Sequence, residues 1–151
     1  MEKKRILIVD DEKAVLKSFR GILELKGYSV DTAETGREAI EKSKASFYNL
    51  ALIDIRLPDM EGTELLLRMR ETTPKMVKII VTGYPSLQNA IEAVNKGADG
   101  YVVKPVSVDE LLNKVKEHLQ KQEGAQKYSE EKVKEYIETR AEEHRTKSPK
   151  N

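Results

Sequence analysis

Apolar and polar positions alternate along this chain in blocks, each short apolar run followed by a stretch with helical spacing. Ile6-Leu7-Ile8-Val9 is uninterrupted, the pattern of a strand covered on both faces. From about Glu12 to Lys26, Val15, Leu16, Phe19, Ile22, Leu23 and Leu25 recur at helical spacing, and Gly27 fits the residue that ends a helix. Tyr28 to Thr32 alternates like an edge strand, and Thr35 with Glu38 forms a capping box that opens the next helix. Leu50-Ala51-Leu52-Ile53 is the third run and predicts a buried strand, followed by a loop punctuated by Pro58 and Gly62 and a helix carrying Leu65, Leu66 and Met69. Val77 to Val81 predicts a fourth strand, Ser86 to Lys96 a helix stopped by Gly97, and Tyr101-Val102-Val103 a fifth strand. Ser107 with Glu110 (capping box) and Val106 with Leu111 (hydrophobic staple) start the fifth helix. Strands alternating with helices five times over predict an α/β fold, a doubly wound parallel sheet with right-handed crossovers.

The pattern changes at Gln122. Glu123-Gly124-Ala125-Gln126 predicts a break, so that residues 1–121 form the domain and 122–151 a linker, a charged helix and a frayed tail. Tyr128, Ser129 and Val133 predict a new helix start, with Ser129 as its cap, and Val133, Tyr136, Ile137 and Ala141 give that helix a thin apolar stripe.

Composition narrows the function. Lysine and arginine number 27 against 26 acidic residues, a net charge of +1 that gives no electrostatic reason for a nucleic-acid or anionic-membrane partner. Cysteine is absent, which removes disulfide and thiolate chemistry. The apolar run after Arg5 is too short for a signal peptide, and no stretch approaches the roughly 20 apolar residues of a membrane span. A cytoplasmic protein is expected. His118 and His144 sit on charged helical segments and are expected to be solvated.

Chemistry-bearing residues gather where the apolar runs end. Asp10 and Asp11 follow the first, Asp54 the third, Thr82 the fourth and Lys104-Pro105 the fifth. In an open parallel sheet these ends share one edge, where such folds place their ligands. Three carboxylates brought together repel one another and raise their pKa values unless a cation neutralises them. Oxygen donors at a water-accessible site suit Mg²⁺. A metal, the Lys104 ammonium and the Thr82 hydroxyl together match the three equatorial oxygens of a phosphoryl group in transfer. Asp54, alone at the end of the central strand, is the candidate nucleophile for an aspartyl phosphate.

Four segments carry a family resemblance: Ile6-Leu-Ile-Val-Asp-Asp-Glu12, Leu52-Ile-Asp-Ile-Arg-Leu-Pro-Asp59, Val81-Thr-Gly83 and Tyr101-Val-Val-Lys-Pro105. Over residues 3–121 the chain resembles the receiver domains of two-component response regulators. The resemblance implies a flavodoxin-like strand order 2-1-3-4-5 and phosphotransfer from a sensor histidine kinase onto Asp54. It implies Mg²⁺ held by Asp10 or Asp11, Asp54 and the main-chain carbonyl of Arg56, and a cis Lys104–Pro105 bond. It further implies a switch in which Thr82 moves toward the phosphoryl group and Tyr101 turns inward, altering the face of the fourth strand, fourth helix and fifth strand. Arg56 and Tyr84, two residues beyond Asp54 and Thr82, are expected to flank the attacking water and tune dephosphorylation.

The chain is thus expected to be a signalling protein that catalyses only its own phosphorylation and dephosphorylation. Its output would be contact with a downstream protein, or a homodimer through the 4-5-5 face or the C-terminal helix. Two alternatives remain: the receiver part of a longer DNA-binding regulator, and a Mg²⁺-dependent phosphohydrolase. The latter would need an acid two residues after Asp54, where Arg56 stands.

Overall fold

The computed structural model describes residues 2–146, with side chains described up to residue 142. Ten elements follow in strict alternation: β1 (Arg5–Val9), α1 (Lys13–Leu25), β2 (Ser29–Ala33), α2 (Gly36–Ala45), β3 (Leu50–Asp54), α3 (Gly62–Arg68), β4 (Val77–Thr82), α4 (Leu87–Asn95), β5 (Gly100–Val103) and α5 (Val108–Thr146). The strands pair in parallel in the order β2-β1-β3-β4-β5. The order expected from the family resemblance is the one observed.

The uninterrupted apolar runs are explained by helices on both faces of the sheet. Ile6, Ile8, Leu50, Leu52, Ile79 and Val81 point to one face, where Leu16 and Leu23 of α1 and Leu111, Val115 and Leu119 of α5 cover them. Leu7, Val9, Ala51, Ile53 and Ile80 point to the other, under Ala39 of α2, Leu65 and Leu66 of α3 and Ala93 of α4. Local signals set the helix ends. Thr35 accepts from the Glu38 amide at 3.1 Å, Ser107 from the Glu110 amide at 3.1 Å, and Gly27 takes φ +91° beyond α1.

Two expectations are corrected. First, α5 runs without interruption through residues 122–126, so Ser129 lies inside a helix and is not a cap. Glycine within a helix costs about 1 kcal/mol, and the neighbourhood of Gly124 offsets it. Gln122 is buried, donates through Nε2 to the carbonyls of Asn49 (2.9 Å) and Lys75 (2.8 Å), and accepts from Asn49 Nδ2 at 3.3 Å. That anchor holds the helix in place just before the glycine. Beyond it, Val133, Tyr136 and Ile137 are exposed. Second, His118 is half-buried against β5: a Cβ on Gly100 would lie 3.1 Å from its Nε2. The His144 side chain and the predicted fraying beyond Thr146 lie outside the described residues.

Candidate functional site

The carboxyl ends of β1, β3, β4 and β5 bring Asp10, Asp11, Asp54, Thr82 and Lys104 to one edge, as their positions in the sequence predict. Asp10 lies one residue past β1 and is 3% exposed; its Oδ1 accepts from the Glu12 amide at 2.9 Å, fixing the carboxylate at the start of α1. Asp54 is the last residue of β3 and is 8% exposed. Asp11 is exposed, and carboxylate oxygens of all three residues lie within 4.8 Å of one another. Lys104 follows β5 beside a cis peptide to Pro105, with its backbone N–H on the Thr82 carbonyl at 2.8 Å. Its Nζ donates to Asp10 Oδ2 at 2.7 Å and lies 3.7 Å from Asp54 Oδ2. Thr82 is fully buried, and its Oγ1 accepts from the Tyr84 amide at 2.9 Å.

The loop after Asp54 folds back against its own strand. Gly62 N–H donates to the Ile55 carbonyl at 2.7 Å, and a Cβ on Gly62 would fall 2.2 Å from the Asp54 carbonyl oxygen. Only glycine permits that approach. In the sequence Gly62 reads as loop punctuation, because nothing local announces the strand it will meet.

Charge in this pocket is unbalanced, with one ammonium facing three carboxylates. Burial, and then the Asp10 carboxylate, push the Asp54 carboxyl above its ordinary pKa, against the downward pull of Lys104 and the Arg56 amide. Burial alone would depress Lys104; its hydrogen bond to Asp10 and the charges of Asp10, Asp54 and Glu12 outweigh that and raise it. A partly buried pocket of oxygen donors with excess negative charge is an environment that suits a hard divalent cation, and the three aspartates could hold one.

The remaining predicted residues surround this pocket. Tyr101 on β5 is turned inward onto the α3–α4 side of the core. Its Oη is the one buried side-chain polar atom without a hydrogen-bond partner among the described residues. The Arg56 guanidinium lies over the Tyr84 ring, 4.3 Å from its centroid, while Tyr84 itself is exposed. Sequence spacing placed both residues near the site but could not show that they touch. Along α4, Leu87, Ile91 and Val94 form an exposed apolar stripe, and Val103 of β5 is exposed as well.

The chain matches known proteins across this same region. A family model described as "Response regulator receiver domain" matches residues 6–116. A solved CheY-like response regulator receiver domain protein from Methanospirillum hungatei JF-1 is 52% identical, with a TM-score of 0.79 over 82% of this chain and 99% of that one. Among curated proteins, the alginate biosynthesis transcriptional regulatory protein AlgB of Pseudomonas syringae is 41% identical over 107 residues, 71% of this chain and 24% of AlgB. The transcriptional regulatory protein YkoG of Bacillus subtilis is 35% identical over 119 residues, 79% of this chain and 52% of YkoG. The chain therefore spans a quarter to a half of these curated relatives. Since the match runs from β1 well into α5 and takes in the whole acidic edge, the chain belongs to the response regulator receiver domains of two-component systems.

Proposed function

We propose that Asp54 accepts a phosphoryl group from a sensor histidine kinase, and that the resulting charge change resets a protein-interaction face. The observation that carries this reading is the desolvated Asp54 carboxylate set beside Lys104 and two further aspartates. An Asp54 oxygen forms the new P–O bond as the P–N bond of the donor phosphohistidine breaks, and the electron pair returns to the departing imidazole. Asp10, Asp11, Asp54 and the main-chain carbonyl of Arg56 would hold Mg²⁺. Bound there, Mg²⁺ supplies positive charge to the phosphoryl oxygens. Lys104, already within reach of Asp54, can exchange its Asp10 contact for a phosphoryl oxygen. Thr82 Oγ1 accepts from the Tyr84 amide, which leaves its own O–H free to donate to a phosphoryl oxygen.

A groove lined by Ala14, Val15, Ser18 and Phe19 of α1 with Pro105 and Val106 lies beside Lys104, and supports docking of the donor there. Tyr101 and Thr82 act as the switch. A buried hydroxyl with no partner costs about 1–3 kcal/mol, so the inward Tyr101 is held only lightly and can respond to a shift of Thr82. The exposed Leu87, Ile91 and Val94 support an output face for a downstream protein or a second copy. Arg56 and Tyr84 set the phosphoryl lifetime. The setting is the cytoplasm.

Intact-protein mass spectrometry after acetyl phosphate treatment tests the reading. One added phosphoryl group that needs Mg²⁺ and disappears in Asp54→Asn is expected; a folded wild type without an adduct at short times would refute it. A second reading, the receiver part of a longer transcriptional regulator, is favoured by the share of AlgB and YkoG that the chain spans. Immunoblotting of the native protein at a mass well above 17.2 kDa would support it.

A further inference from the structure

The hairpin that follows Asp54 is tied to a part of the molecule with no direct role at the acidic edge. Its base is closed by the Gly62-to-Ile55 bond, its middle by a bridge between Arg56 and Glu61, and its tip by Leu57 N–H on the Met60 carbonyl at 3.1 Å. From that tip Asp59 reaches α2, 23 residues earlier in the chain. Its Oδ1 accepts from the Gly36 amide and its Oδ2 from the Arg37 amide, each at 2.9 Å. These are the first two N–H groups of α2, which have no partner within the helix. Thr35 caps only the Glu38 amide, so α2 needs a second acceptor and takes it from the hairpin. The Met60 side chain packs where a Cβ on Gly36 would lie, 2.5 Å from its Sδ, so the two segments are in direct apposition. Burial pushes the Asp59 carboxyl up, but the Arg37, Gly36 and Asp59 amides and the Arg37 charge together outweigh it and hold its pKa below the usual carboxylate range.

We propose that Asp59 is a positioning residue for the metal site: seated on α2, its carboxylate fixes the Ile55–Gly62 hairpin and with it the Arg56 carbonyl relative to Asp54. The proposal rests on the reading of Arg56 as a main-chain metal ligand. Its physical basis is that a ligand carried on a loop serves a cation only as well as the loop is held, and partners that orient ligands commonly carry ten-fold or more of a metal's affinity. Gly62 alone would hold the base of the hairpin and leave its tip free to pivot.

The alternative is that Asp59 is only a helix cap, and the control must separate the two. Glu38 accepts from the Glu34 amide through Oε2 at 3.1 Å, so Glu38→Gln weakens the same end of α2 without touching the hairpin. The experiment is calorimetric titration of the full chain with Mg²⁺ alone, together with amide exchange at Leu57 and Gly62 in metal-free protein. Asp59→Ala is expected to bind Mg²⁺ about ten-fold more weakly and to exchange both amides faster. Asp59→Asn, which keeps one acceptor, should fall between, and serves on its own if the alanine variant does not fold. Glu38→Gln should match wild type in both readouts. Equal Mg²⁺ affinity in wild type and the Asp59 variants, or equal weakening in Glu38→Gln, would overturn the positioning role. Silence of wild type itself in the titration would instead overturn the metal-site reading, a distinct result.

Discussion

Removing the Asp54 charge should stabilise the metal-free protein. The carboxylate lies within 4.8 Å of both Asp10 and Asp11 and 3.7 Å from the Lys104 ammonium. At an effective dielectric constant near 20, each repulsion amounts to about 3.5 kcal/mol and the attraction to about 4.5 kcal/mol. The repulsions win by roughly 2–3 kcal/mol. Solvent screening of the exposed Asp11 reduces this to about 1–2 kcal/mol. Burial of Asp54 acts in the same direction, since it also disfavours the charged form. Asp54→Asn keeps the shape and discards the charge.

At roughly 2–4 °C per kcal/mol for a chain of this size, its melting temperature in EDTA at pH 7 should exceed that of wild type by about 2–8 °C. The pH dependence follows from the raised pKa. The Asp54 contribution is fully present below the unfolded pKa, and it is lost as pH rises through the higher folded value. The gap between variant and wild type should therefore close on acidification toward pH 4. Circular dichroism melts across that range, with and without Mg²⁺, are the assay. A variant that melts at or below wild type at neutral pH in EDTA, or a gap that widens in acid, would refute the reasoning.

Lys104→Met leaves Asp10 and Asp54 without their cation and should cost ~2 kcal/mol in EDTA, less than the 3–5 of a fully buried pair because Lys104 is partly exposed; Mg²⁺ should restore much of it, as urea titration in both buffers will show. Gly62→Ala drives a Cβ into the Asp54 carbonyl, and about 2–3 kcal/mol of stability should be lost in the same titration, together with Mg²⁺-dependent phosphorylation. Gly124→Ala should gain about 0.5–1 kcal/mol and add helical ellipticity, since α5 is continuous there and a Cβ meets nothing within 4 Å; a loss would mean that the glycine serves a bend. Replacing Arg56 and Tyr84 together with alanine should change the phosphoryl half-life several-fold, through loss of their stacked pair, worth about 0.5–1 kcal/mol at an exposed position; decay of the mass-spectrometric adduct measures it, and an unchanged half-life would remove their tuning role.

The residues of the acidic edge were legible because each terminates an apolar run, and parallel strands bring such ends together wherever they lie in the chain. Features that depend on distant segments were not. Gln122 reads as the start of a polar linker, yet its partners Asn49 and Lys75 lie 73 and 47 residues away and keep α5 whole. Gly62 reads only as loop punctuation and Asp59 carries no separate signal, because the α2 amides that Asp59 meets lie 23 and 22 residues earlier. Leu25 reads with the apolar positions of α1, but it is 89% exposed: two residues past Leu23, at about 100° per residue, it lies on the opposite side of the helix. Lys78 is the second residue of β4, in a mainly apolar strand, and is nonetheless buried, because its Nζ donates to the Leu66 carbonyl near the end of α3 at 3.0 Å. Periodicity locates a strand; it does not reveal which buried charge has found a carbonyl.

The unbroken α5 has a mechanical consequence. At 1.5 Å per residue, the stretch from Gln122 to Thr146 is a rod of about 36 Å, and its side chains from 127 to 142 are exposed. Gln122 serves as its pivot, gripping the ends of β3 and β4 opposite the acidic edge. Tilting such a rod by roughly 5° about that pivot sweeps its far end through about 3 Å, a distance comparable to a side chain's reach. A helix interrupted at Gly124 would dissipate the same tilt within one turn. Continuity of the backbone hydrogen bonds turns α5 into a lever arm.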